Sequence, residues 1–478
     1  MYQKFGLFID GKWRHASDGG TAPVISPVTE KPLGEAPAAT RADTEEALES
    51  SARGLKAWKS KGAFERAEAL HAIADEMVRR KGEAARMISS ETGKPLAQSE
   101  REWGLAVDQF RWYAEEARRI YGRIVETRVP GGRFEVFHEP VGIAAAFTAW
   151  NFPAALVARK AAPALAAGCS IIVRPSSQTP GTAMVMVDCM RAGNLPPGAI
   201  NLVVGPTDAT YAPIMASPAV RKVSLTGSTR VGQQMIRDAA DTVKKVSMEL
   251  GGNAPLIVFD DADMERALNA SLPTKYANAG QVCVTPDRFF VHESLHDAFV
   301  EGFIGRAKAL KLGDGLDPSV QMGPLINAGR LSEIENIVSD ATKAGAKLVA
   351  GGHRDAAFNA GYFHEPTVLT DVTDEMRVFA EENFGPIAAI TRFRSDDEVL
   401  ERANASPLGL SAYAFTSNPK RARRVVTELK SGMVGINSFA LAASEAPFGG
   451  TKFSGMGREG GLEGICDYLD TKLAQTVF

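Results

Sequence analysis

The sequence predicts an α/β protein whose first half contains a parallel sheet with helices on both faces. Apolar β-type runs lie at 142–149, 169–174, 200–204, 221–226 and 243–249. Helical segments lie between them, near 154–167, 179–193, 207–216 and 229–240. Regular alternation of strand and helix favours a parallel sheet. The runs are apolar throughout, which is typical of strands covered on both faces. Such sheets bind ligands at the carboxyl ends of their strands.

The segments before this sheet follow a different pattern. The first 120 residues are predicted to be mostly helical, because 63–90 and 97–120 carry Ala, Glu, Arg and Leu at helical spacing. The acids in Asp43-Thr44-Glu45-Glu46 are typical of a helix N-terminus. Two β-type runs, 121–128 and 133–140, are separated by Val129-Pro130-Gly131-Gly132, which predicts a hairpin.

A second α/β block follows the first sheet and occupies about 252–450. It begins with the strand-like residues 255–259. The tail, 459–478, ends in LDTKLAQTVF, which is compatible with a final strand.

Composition excludes several classes of protein. The 478 residues carry a net charge of −3, so no basic surface for nucleic acid is expected. The four cysteines are scattered and form no CxxC pair, which argues against a disulfide framework or a zinc site and favours a reducing, cytoplasmic setting. Residues 141–158 are uncharged but contain Asn151 and Pro153, so we expect a strand, a turn and a helix start rather than a membrane span. The N-terminus has no pattern of a signal peptide.

Two glycine-rich segments are candidates for a nucleotide site. Gly455-Met456-Gly457-Arg458-Glu459-Gly460 matches GxGxxG, but too few residues follow it for the required βαβ unit, so we interpret it as a loop or an oligomer contact. Gly227-Ser228-Thr229-Arg230-Val231-Gly232 follows a predicted strand and opens a helix, where backbone N–H groups can meet a phosphate. A plain strand–helix turn remains an equal alternative for it.

Three side chains, a thiol, a carboxylate and an amide, are candidates for catalysis. Cys283 lies in a small-residue loop after a predicted helix, and Glu249 follows the last strand of the first sheet. A carboxylate there is costly unless paired or functional, and burial would raise its pKa toward that of a general base. Asn151 ends the first strand, where its amide could donate to an oxyanion. Each residue also has a structural alternative. Cys283 could be an inert packing residue, Glu249 could be part of a salt bridge, and Asn151 could form an Asx turn.

Taken together, the sequence resembles the aldehyde dehydrogenase superfamily. The matching segments are FTAWNFP (147–153), IIVRPSSQTP (171–180), SLTGSTRVG (224–232), MELGGNAP (248–255), GQVC (280–283), EENFGP (381–386) and PFGGTKFSGMGREG (447–460). The resemblance implies a Rossmann-like cofactor domain at 1–118 and 141–251 and a catalytic domain at 252–450. It also implies a small β bridging element at 119–140 and 451–478. In such proteins the hairpin and tail pair between subunits, so a homodimer or homotetramer is expected.

The resemblance also implies a mechanism and a cofactor. Cys283 would attack the aldehyde, Asn151 and the Cys283 backbone N–H would stabilise the oxyanion, and hydride would pass to NAD or NADP. Glu249 would then activate the water that hydrolyses the thioester. The residues expected to contact the cofactor are Trp150, Arg174, Ser177, Gly205, Gly227, Ser228, Glu382 and Phe384.

Departures from the family pattern bear on cofactor choice. The family usually has Lys at the position of Arg174 and Pro at that of Ala149, and NAD-preferring relatives often have Glu at that of Ser177. A serine does not repel a 2′-phosphate, and an arginine can pair with it bidentately. We therefore expect NADP to be accepted.

The substrate is expected to be a small semialdehyde such as succinate semialdehyde. Arg159 matches an arginine that similar enzymes use for the polar end of the substrate. Some relatives have a redox-switch cysteine where this chain has Thr285. Succinate-semialdehyde enzymes often have a second arginine where this chain has Ala277. Oxidation of uncharged aldehydes therefore remains an alternative. Acyl transfer to coenzyme A and a non-catalytic, crystallin-like role are further alternatives, against which Glu249 and Cys283 argue.

Overall fold

Strands and helices alternate along most of the chain in the computed structural model, which describes residues 2–478. In chain order the strands are β1 (Leu7–Ile9), β2 (Lys12–Arg14), β3 (Thr21–Ile25), β4 (Pro32–Pro37), β5 (Arg123–Glu126), β6 (Gly132–Pro140), β7 (Ile143–Phe147), β8 (Ser170–Arg174), β9 (Ile200–Leu202), β10 (Val220–Thr226), β11 (Lys245–Glu249), β12 (Ala254–Val258), β13 (Pro286–His292), β14 (Lys347–Ala350), β15 (Thr367–Thr370), β16 (Ile387–Phe393), β17 (Leu408–Gly409), β18 (Ser411–Phe415), β19 (Met433–Ile436), β20 (Thr451–Lys452), β21 (Gly455–Met456) and β22 (Leu469–Val477).

The helices occupy the intervals between these strands. They are α1 (Arg41–Lys59), α2 (Ala63–Arg79), α3 (Lys81–Thr92), α4 (Leu96–Ala117), α5 (Ala155–Ala167), α6 (Pro180–Met190), α7 (Thr207–Ala216), α8 (Thr229–Ala240), α9 (Met264–Tyr276), α10 (His296–Lys308), α11 (Ala328–Lys343), α12 (Arg377–Ala380), α13 (Asp396–Asn404), α14 (Pro419–Glu428) and α15 (Glu463–Cys466). Short 3-10 helices lie at Arg191–Gly193 and Ala277–Gly280.

The first sheet confirms the predicted parallel arrangement. Its strand order is β2-β1-β9-β8-β7-β10-β11-β21, and the strands from β9 to β11 run parallel. On β7, Ala144 and Ala146 pack into one core with α2–α6, whereas Ile143 and Ala145 pack into another with α1, α7 and α8. The sheet is therefore covered on both faces, which explains why its strands are apolar throughout.

The first forty residues contain strands that the prediction of a mostly helical N-terminal segment did not include. Strands β1 and β2 form one edge of the first sheet, and β3 and β4 form a separate two-stranded sheet. These strands are three to six residues long, too short to show a clear period-2 pattern. The helical part of the prediction holds from Arg41 onward, where Thr40 and Asp43 form a capping box at the start of α1.

The second sheet belongs to the predicted second α/β block. Its order is β14-β15-β16-β13-β12-β18-β19, and only the edge strand β14 is antiparallel to its neighbour within this sheet. Strand β12 is the predicted strand near 255–259. The strands carry a separate apolar core that includes Phe289, Phe290 and Tyr413. The carboxyl ends of β12 and β13 lie away from the loop that carries Cys283, because that loop precedes β13.

A third sheet joins the predicted hairpin to the tail. Strands β22, β6 and β5 pair antiparallel in that order, so both the hairpin and the final strand are confirmed. The expected pairing of hairpin and tail between subunits is corrected: β22 pairs with β6 of the same chain, from Leu469 opposite Pro140 to Val477 opposite Gly132. Both segments lie beside the first sheet. Strand β6 leads directly into β7 of that sheet, and β21, which precedes the tail strand, pairs with β11 of the same sheet.

The structure assigns the uncharged segment 141–158 and the GxGxxG segment to regular elements. Residues 143–147 form strand β7 and 155–167 form α5, as expected for a strand, a turn and a helix start. Within residues 2–478, no helix has the length and apolar character needed to cross a membrane. In the GxGxxG segment, Gly455–Met456 forms β21, which pairs antiparallel with the end of β11. This segment is an edge strand and a loop, not the turn of a βαβ unit.

Candidate active site

A cavity of about 590 Å³ brings together most of the predicted site residues. From the predicted set it is lined by Trp150, Asn151, Gly227, Ser228, Glu249, Cys283, Glu382 and Phe384. The first four follow β7 and β10, and Glu249 ends β11, so the first sheet contributes its carboxyl edge. The second block contributes the Cys283 loop, the 382–384 segment and the start of α11.

The loop before Cys283 has an unusual backbone. Asn278, Ala279 and Gly280 all have φ between +47° and +74°, in the left-handed region. A Cβ at Gly280 would lie 2.1 Å from the Gly385 carbonyl oxygen, so the close approach requires glycine. The Cys283 side chain is partly accessible. Burial raises the pKa of its thiol well above the ordinary value, and Glu249 adds to the effect. The resting thiol is therefore protonated and requires a base to become a nucleophile.

Glu249 lies at the end of β11 and is buried. Neither of its carboxylate oxygens has a hydrogen-bond partner among residues 2–478. Burial and, to a smaller extent, the neighbouring Glu459 raise its pKa to about 8, although Arg159 and Lys160 act in the opposite direction. A carboxylate with such a pKa suits proton transfer near neutral pH.

Asn151 occupies the turn between β7 and α5. Its Nδ2 donates to the Gln281 carbonyl oxygen at 3.1 Å, two residues before Cys283. An amide nitrogen has two hydrogens, so one N–H remains unpaired, and Asn151 lines the same cavity as Cys283. The Asn151 carbonyl oxygen accepts from Lys94 Nζ at 2.6 Å. The turn thus presents an amide donor beside the thiol.

The side of the cavity formed by β10 and α8 has polar groups suited to a dinucleotide. Ser228 caps α8 by accepting from the Val231 N–H, so the N-terminus of a 12-residue helix opens there. Glu382 Oε1 accepts from the Gly252 N–H at 2.9 Å. A Cβ at Gly251 would lie 2.5 Å from Glu382 Oε2, so this glycine makes room for the carboxylate. Burial raises the pKa of Glu382 to about 7.

Two aromatic rings frame the same part of the cavity. Trp150 and Phe384 lie with ring centroids 5.5 Å apart and ring planes nearly perpendicular. Phe384 has φ +48°, a strained value for a bulky residue, so its backbone is held in place by its surroundings. Phe384 is therefore a cavity-lining residue and not part of a core.

Three of the predicted cofactor residues lie outside the residues that line this cavity. Arg174 ends β8, and its Nη2 donates to the Gly205 carbonyl oxygen at 3.3 Å. Its Nε donates to Thr210 at 3.3 Å. Ser177 is exposed in the loop that follows. Arg174, Ser177 and Gly205 therefore form a second group, at the carboxyl ends of β8 and β9.

Arg159 is also absent from the lining of the large cavity. It lies on α5 and is 6% exposed, and its guanidinium stands 4.0 Å from the centre of the Phe448 ring. Among residues 2–478, no carboxylate lies within ion-pair distance of its guanidinium, although its charge lowers the pKa of Glu249. Phe448 belongs to a small apolar cluster with Leu410 and Met433, against which Cys283 packs. The unpaired guanidinium thus lies on the side of Cys283 where this cluster is.

Sequence reasoning missed several residues of the site. Asn327, Arg330 and Glu333, at the start of α11, line the cavity. Lys160 pairs with Glu459 beneath Glu249, and its Nζ also donates to Thr226 at 2.6 Å. No motif singles out the residues at the start of α11 or Lys160, and the pattern around Glu459 does not show its contact with Lys160, so only the three-dimensional structure reveals them. In the described part of the chain, no cluster of three or more His, Cys, Asp or Glu side chains could hold a metal ion.

Comparison with known proteins agrees with this geometry. The model of the Aldehyde dehydrogenase family matches residues 13–474. The chain is 45% identical to the 3-sulfolactaldehyde dehydrogenase of Pseudomonas putida, over 97% of this chain and 95% of that protein. It is 41% identical to the succinate-semialdehyde dehydrogenase (NADP(+)) of Escherichia coli, over 97% and 96%.

The fold of the chain also matches that of a solved structure. The crystal structure of succinate-semialdehyde dehydrogenase from Burkholderia pseudomallei superposes with a TM-score of 0.97 and 41% identity, covering 99% of this chain and 98% of that one. The expected α/β architecture, with a Rossmann-like part and a catalytic part, is thereby confirmed. The chain belongs to the aldehyde dehydrogenase family.

Proposed function

We propose that this protein oxidises an aldehyde with an anionic far end, a small semialdehyde, to a carboxylic acid, with Cys283 as the nucleophile. Membership of the family makes the chain an oxidoreductase that acts on aldehydes with NAD or NADP. The observation that carries the proposal is the meeting of a thiol, an unpartnered carboxylate and an amide donor on one cavity.

The chain's residues fit a nicotinamide dinucleotide. The capped N-terminus of α8 at Ser228, preceded by Gly227, suits the pyrophosphate. Glu382 keeps Oε2 free for a ribose hydroxyl, and the Trp150–Phe384 pair would border the nicotinamide ring. When bound, the cofactor accepts the hydride released from the former aldehyde carbon.

The protein residues carry the remaining steps. The Cys283 thiol loses its proton to solvent water in the cavity, its sulfur bonds to the aldehyde carbon, and the carbonyl oxygen becomes an oxyanion. The free N–H of Asn151 and the Cys283 backbone N–H donate to that oxyanion. Loss of hydride then leaves a thioester on Cys283. Glu249 takes a proton from water, the hydroxide adds to the thioester, and the carboxylic acid leaves as the thiol is restored.

Arg159 supports an anionic substrate. A buried arginine without a partner is costly, and a carboxylate or sulfonate on the substrate would supply the missing charge. The relatives named above act, by their names, on succinate semialdehyde and 3-sulfolactaldehyde, both with an anionic end. Oxidation of uncharged aldehydes is the second candidate, because Ala277 provides no second positive charge.

Acceptance of NADP is supported by the second group of residues. Arg174 donates only to neutral oxygens, those of Gly205 and Thr210, so its charge has no counter-ion among residues 2–478. Exposed Ser177 stands where a carboxylate would repel a 2′-phosphate. We infer that an adenosine 2′-phosphate would lie between them.

We further infer a homodimer or homotetramer built on the third sheet. Strand β5 is an exposed edge, and Ile124 and Leu473 on this sheet are 70% and 62% exposed. Exposed edges and apolar side chains of this kind are usually covered by a partner. The four unpaired cysteines fit a reducing, cytoplasmic setting. Light scattering on the purified protein would give the mass and contradict this inference if it gave a monomer.

The experiment that tests the proposed function compares pairs of aldehydes matched in length, with and without a terminal carboxylate, with each cofactor. Reduced nicotinamide is followed by its absorbance, and Cys283→Ala is the control. Rapid turnover of the carboxylate-bearing member, lost in the control, is the expected result. Preference for the uncharged member would reject the substrate class, and no turnover of any aldehyde would favour the crystallin-like alternative. Product analysis with coenzyme A present would reveal an acyl-CoA if the thioester were transferred rather than hydrolysed.

A further inference from the structure

A buried ion pair lies directly beneath the turn that carries Asn151. Lys94, between α3 and α4, and Glu102, on α4, are each 1% exposed. Lys94 Nζ lies 2.5 Å from Glu102 Oε2. Buried pairs of this kind are weak evidence for stability, because desolvation offsets much of the attraction. Stability alone therefore does not explain why this ion pair lies in the core.

Both partners make further bonds to the same turn. Lys94 Nζ donates to the Asn151 carbonyl oxygen at 2.6 Å and lies 4.0 Å from the centre of the Phe152 ring. Glu102 Oε1 accepts from the Ala154 N–H at 2.8 Å and, more weakly, from the Ala155 N–H at 3.4 Å. Because α5 has no side-chain cap of its own, Glu102 supplies the acceptor at its N-terminus. The pair thus fixes residues 151–155 at several points.

The same carbonyl is also held from the nucleophile's loop. Asn278 Nδ2 donates to the Asn151 carbonyl oxygen at 3.2 Å and to the Gln281 carbonyl oxygen at 3.3 Å. Gln281 in turn accepts from the Asn151 side chain. Lys94 and Asn278 therefore hold one backbone oxygen from two sides and set the distance between Asn151 and the Cys283 loop.

The Lys94 segment is itself fixed against the second block. The Leu96 N–H donates to the Gly315 carbonyl oxygen at 2.8 Å. A Cβ at Gly315 would lie 2.1 Å from the Lys94 carbonyl oxygen, and one at Gly323 2.0 Å from that of Gly93. Such close backbone approach leaves the segment little freedom, so the ammonium group has a rigid base.

We propose that Lys94 and Glu102 are positioning residues, whose buried pair holds the Asn151 turn so that its amide donates to the oxyanion formed at Cys283. This inference rests on the proposed function, in which Asn151 is the oxyanion donor. Neither residue lines the cavity, so their effect passes through Asn151. A displacement of about 1 Å in such a donor can cost about 100-fold in rate.

A purely structural pair would behave differently from a positioning pair. Removing one partner leaves a buried charge unpaired and destabilises the fold in either case. Removing both, in Lys94→Met/Glu102→Gln, leaves no unpaired charge and keeps an acceptor for the Ala154 N–H. The double variant still lacks the Lys94 ammonium as a donor, so the Asn151 carbonyl oxygen keeps only the weaker bond from Asn278. It therefore separates stability from positioning.

The test compares Lys94→Met, Glu102→Gln and the double variant with the wild-type protein. Three quantities are measured: the melting temperature, kcat and KM with the best aldehyde, and the rate at which iodoacetamide alkylates Cys283, followed on its peptide by mass spectrometry. Alkylation forms an S–C bond and expels iodide, so it needs the thiol but no oxyanion donor. Glu91→Gln is the matched control, because Glu91 is also a buried carboxylate, bonded to Tyr2 and Thr182 away from the turn.

We expect the double variant to melt near the wild-type temperature and to alkylate at the wild-type rate. Its kcat should be lowered about 10- to 100-fold while its KM changes little. Glu91→Gln should keep its kcat even if it melts earlier. Recovery of kcat in the double variant would overturn the proposal, as would a parallel loss of alkylation. Turnover by the wild-type protein, absent in Cys283→Ala, is established first, so that failure of the proposed function is recognised separately.

Discussion

Glu249 and Glu459 are neighbouring buried carboxyl groups with opposite surroundings. Glu459 pairs with Lys160, whereas neither oxygen of Glu249 has a partner among residues 2–478. The two segments meet because β21 pairs with the end of β11, where Gly455 lies opposite Glu249. The negative charge of Glu459 raises the pKa of Glu249, after burial itself. The segment first interpreted as a loop therefore tunes the proposed base.

Glu459→Gln should shift the pH dependence of kcat to lower pH. In the wild-type protein, the pKa of Glu249 is raised to about 8, so the base form and the hydrolysis rate should increase as pH rises toward that value. Removing the negative neighbour lowers that pKa, and the released Lys160 charge acts in the same direction. The measurement is kcat against pH. Glu463→Gln, an equal change of charge at an exposed position, is the control, and an unshifted profile in Glu459→Gln would reject the coupling.

Glu249→Gln should separate the two halves of the reaction. Without the carboxylate, hydride transfer to the cofactor still occurs, but the thioester is hydrolysed slowly. Rapid mixing should therefore show a burst of reduced cofactor, up to one per site, followed by a steady rate lowered about 100-fold or more. If the burst disappears together with the steady rate, Glu249 acts before hydride transfer, and the proposed role is wrong.

Arg159→Leu should weaken the reaction of anionic aldehydes only. Loss of a charged hydrogen-bond pair costs about 1.5–3 kcal/mol, or about 10- to 100-fold in kcat/KM. Uncharged aldehydes of equal length should react at close to the wild-type rate or faster. Arg191→Leu, at an exposed position, is the matched control. An equal loss for charged and uncharged aldehydes would make Arg159 a structural residue.

Ser177→Glu should change the cofactor preference toward NAD. The new carboxylate would repel a 2′-phosphate beside Arg174, but could accept from the ribose hydroxyls of NAD. The dissociation constants of both cofactors, measured by quenching of tryptophan fluorescence, test this without turnover. The expected result is weaker binding of NADP with NAD binding unchanged or tighter. An unchanged ratio of the two constants would show that the 2′-phosphate lies elsewhere.

The long apolar strands of the first sheet were predictable because burial on both faces leaves a continuous signal in the sequence. Strands β1 to β4 were not, since each is short, and all except β1 lie at an edge or in a small exposed sheet. The partner of the tail was also misjudged. The tail sequence shows a strand, but nothing in it specifies whether the neighbouring strand belongs to the same chain.

The candidate site was predictable where the chemistry depends on a local motif. Cys283, Glu249 and Asn151 each lie at a strand end or in a loop of distinctive sequence, and all three line the cavity. Lys94 and Glu102 were missed because a charged residue in a helix or in a loop between helices usually faces solvent. The pair is buried because the 151–155 turn, which is distant in sequence, packs against it.

The central claim is that Cys283 forms a thioester with the oxidised substrate. The most direct test is to mix Glu249→Gln with the cofactor and a carboxylate-bearing aldehyde, stop the reaction in acid and determine the mass of each cysteine peptide. We expect an added acyl group on the Cys283 peptide and none on that of Cys466, although Cys466 is the more exposed of the two. An unmodified Cys283 peptide after reduced cofactor has formed would contradict the account.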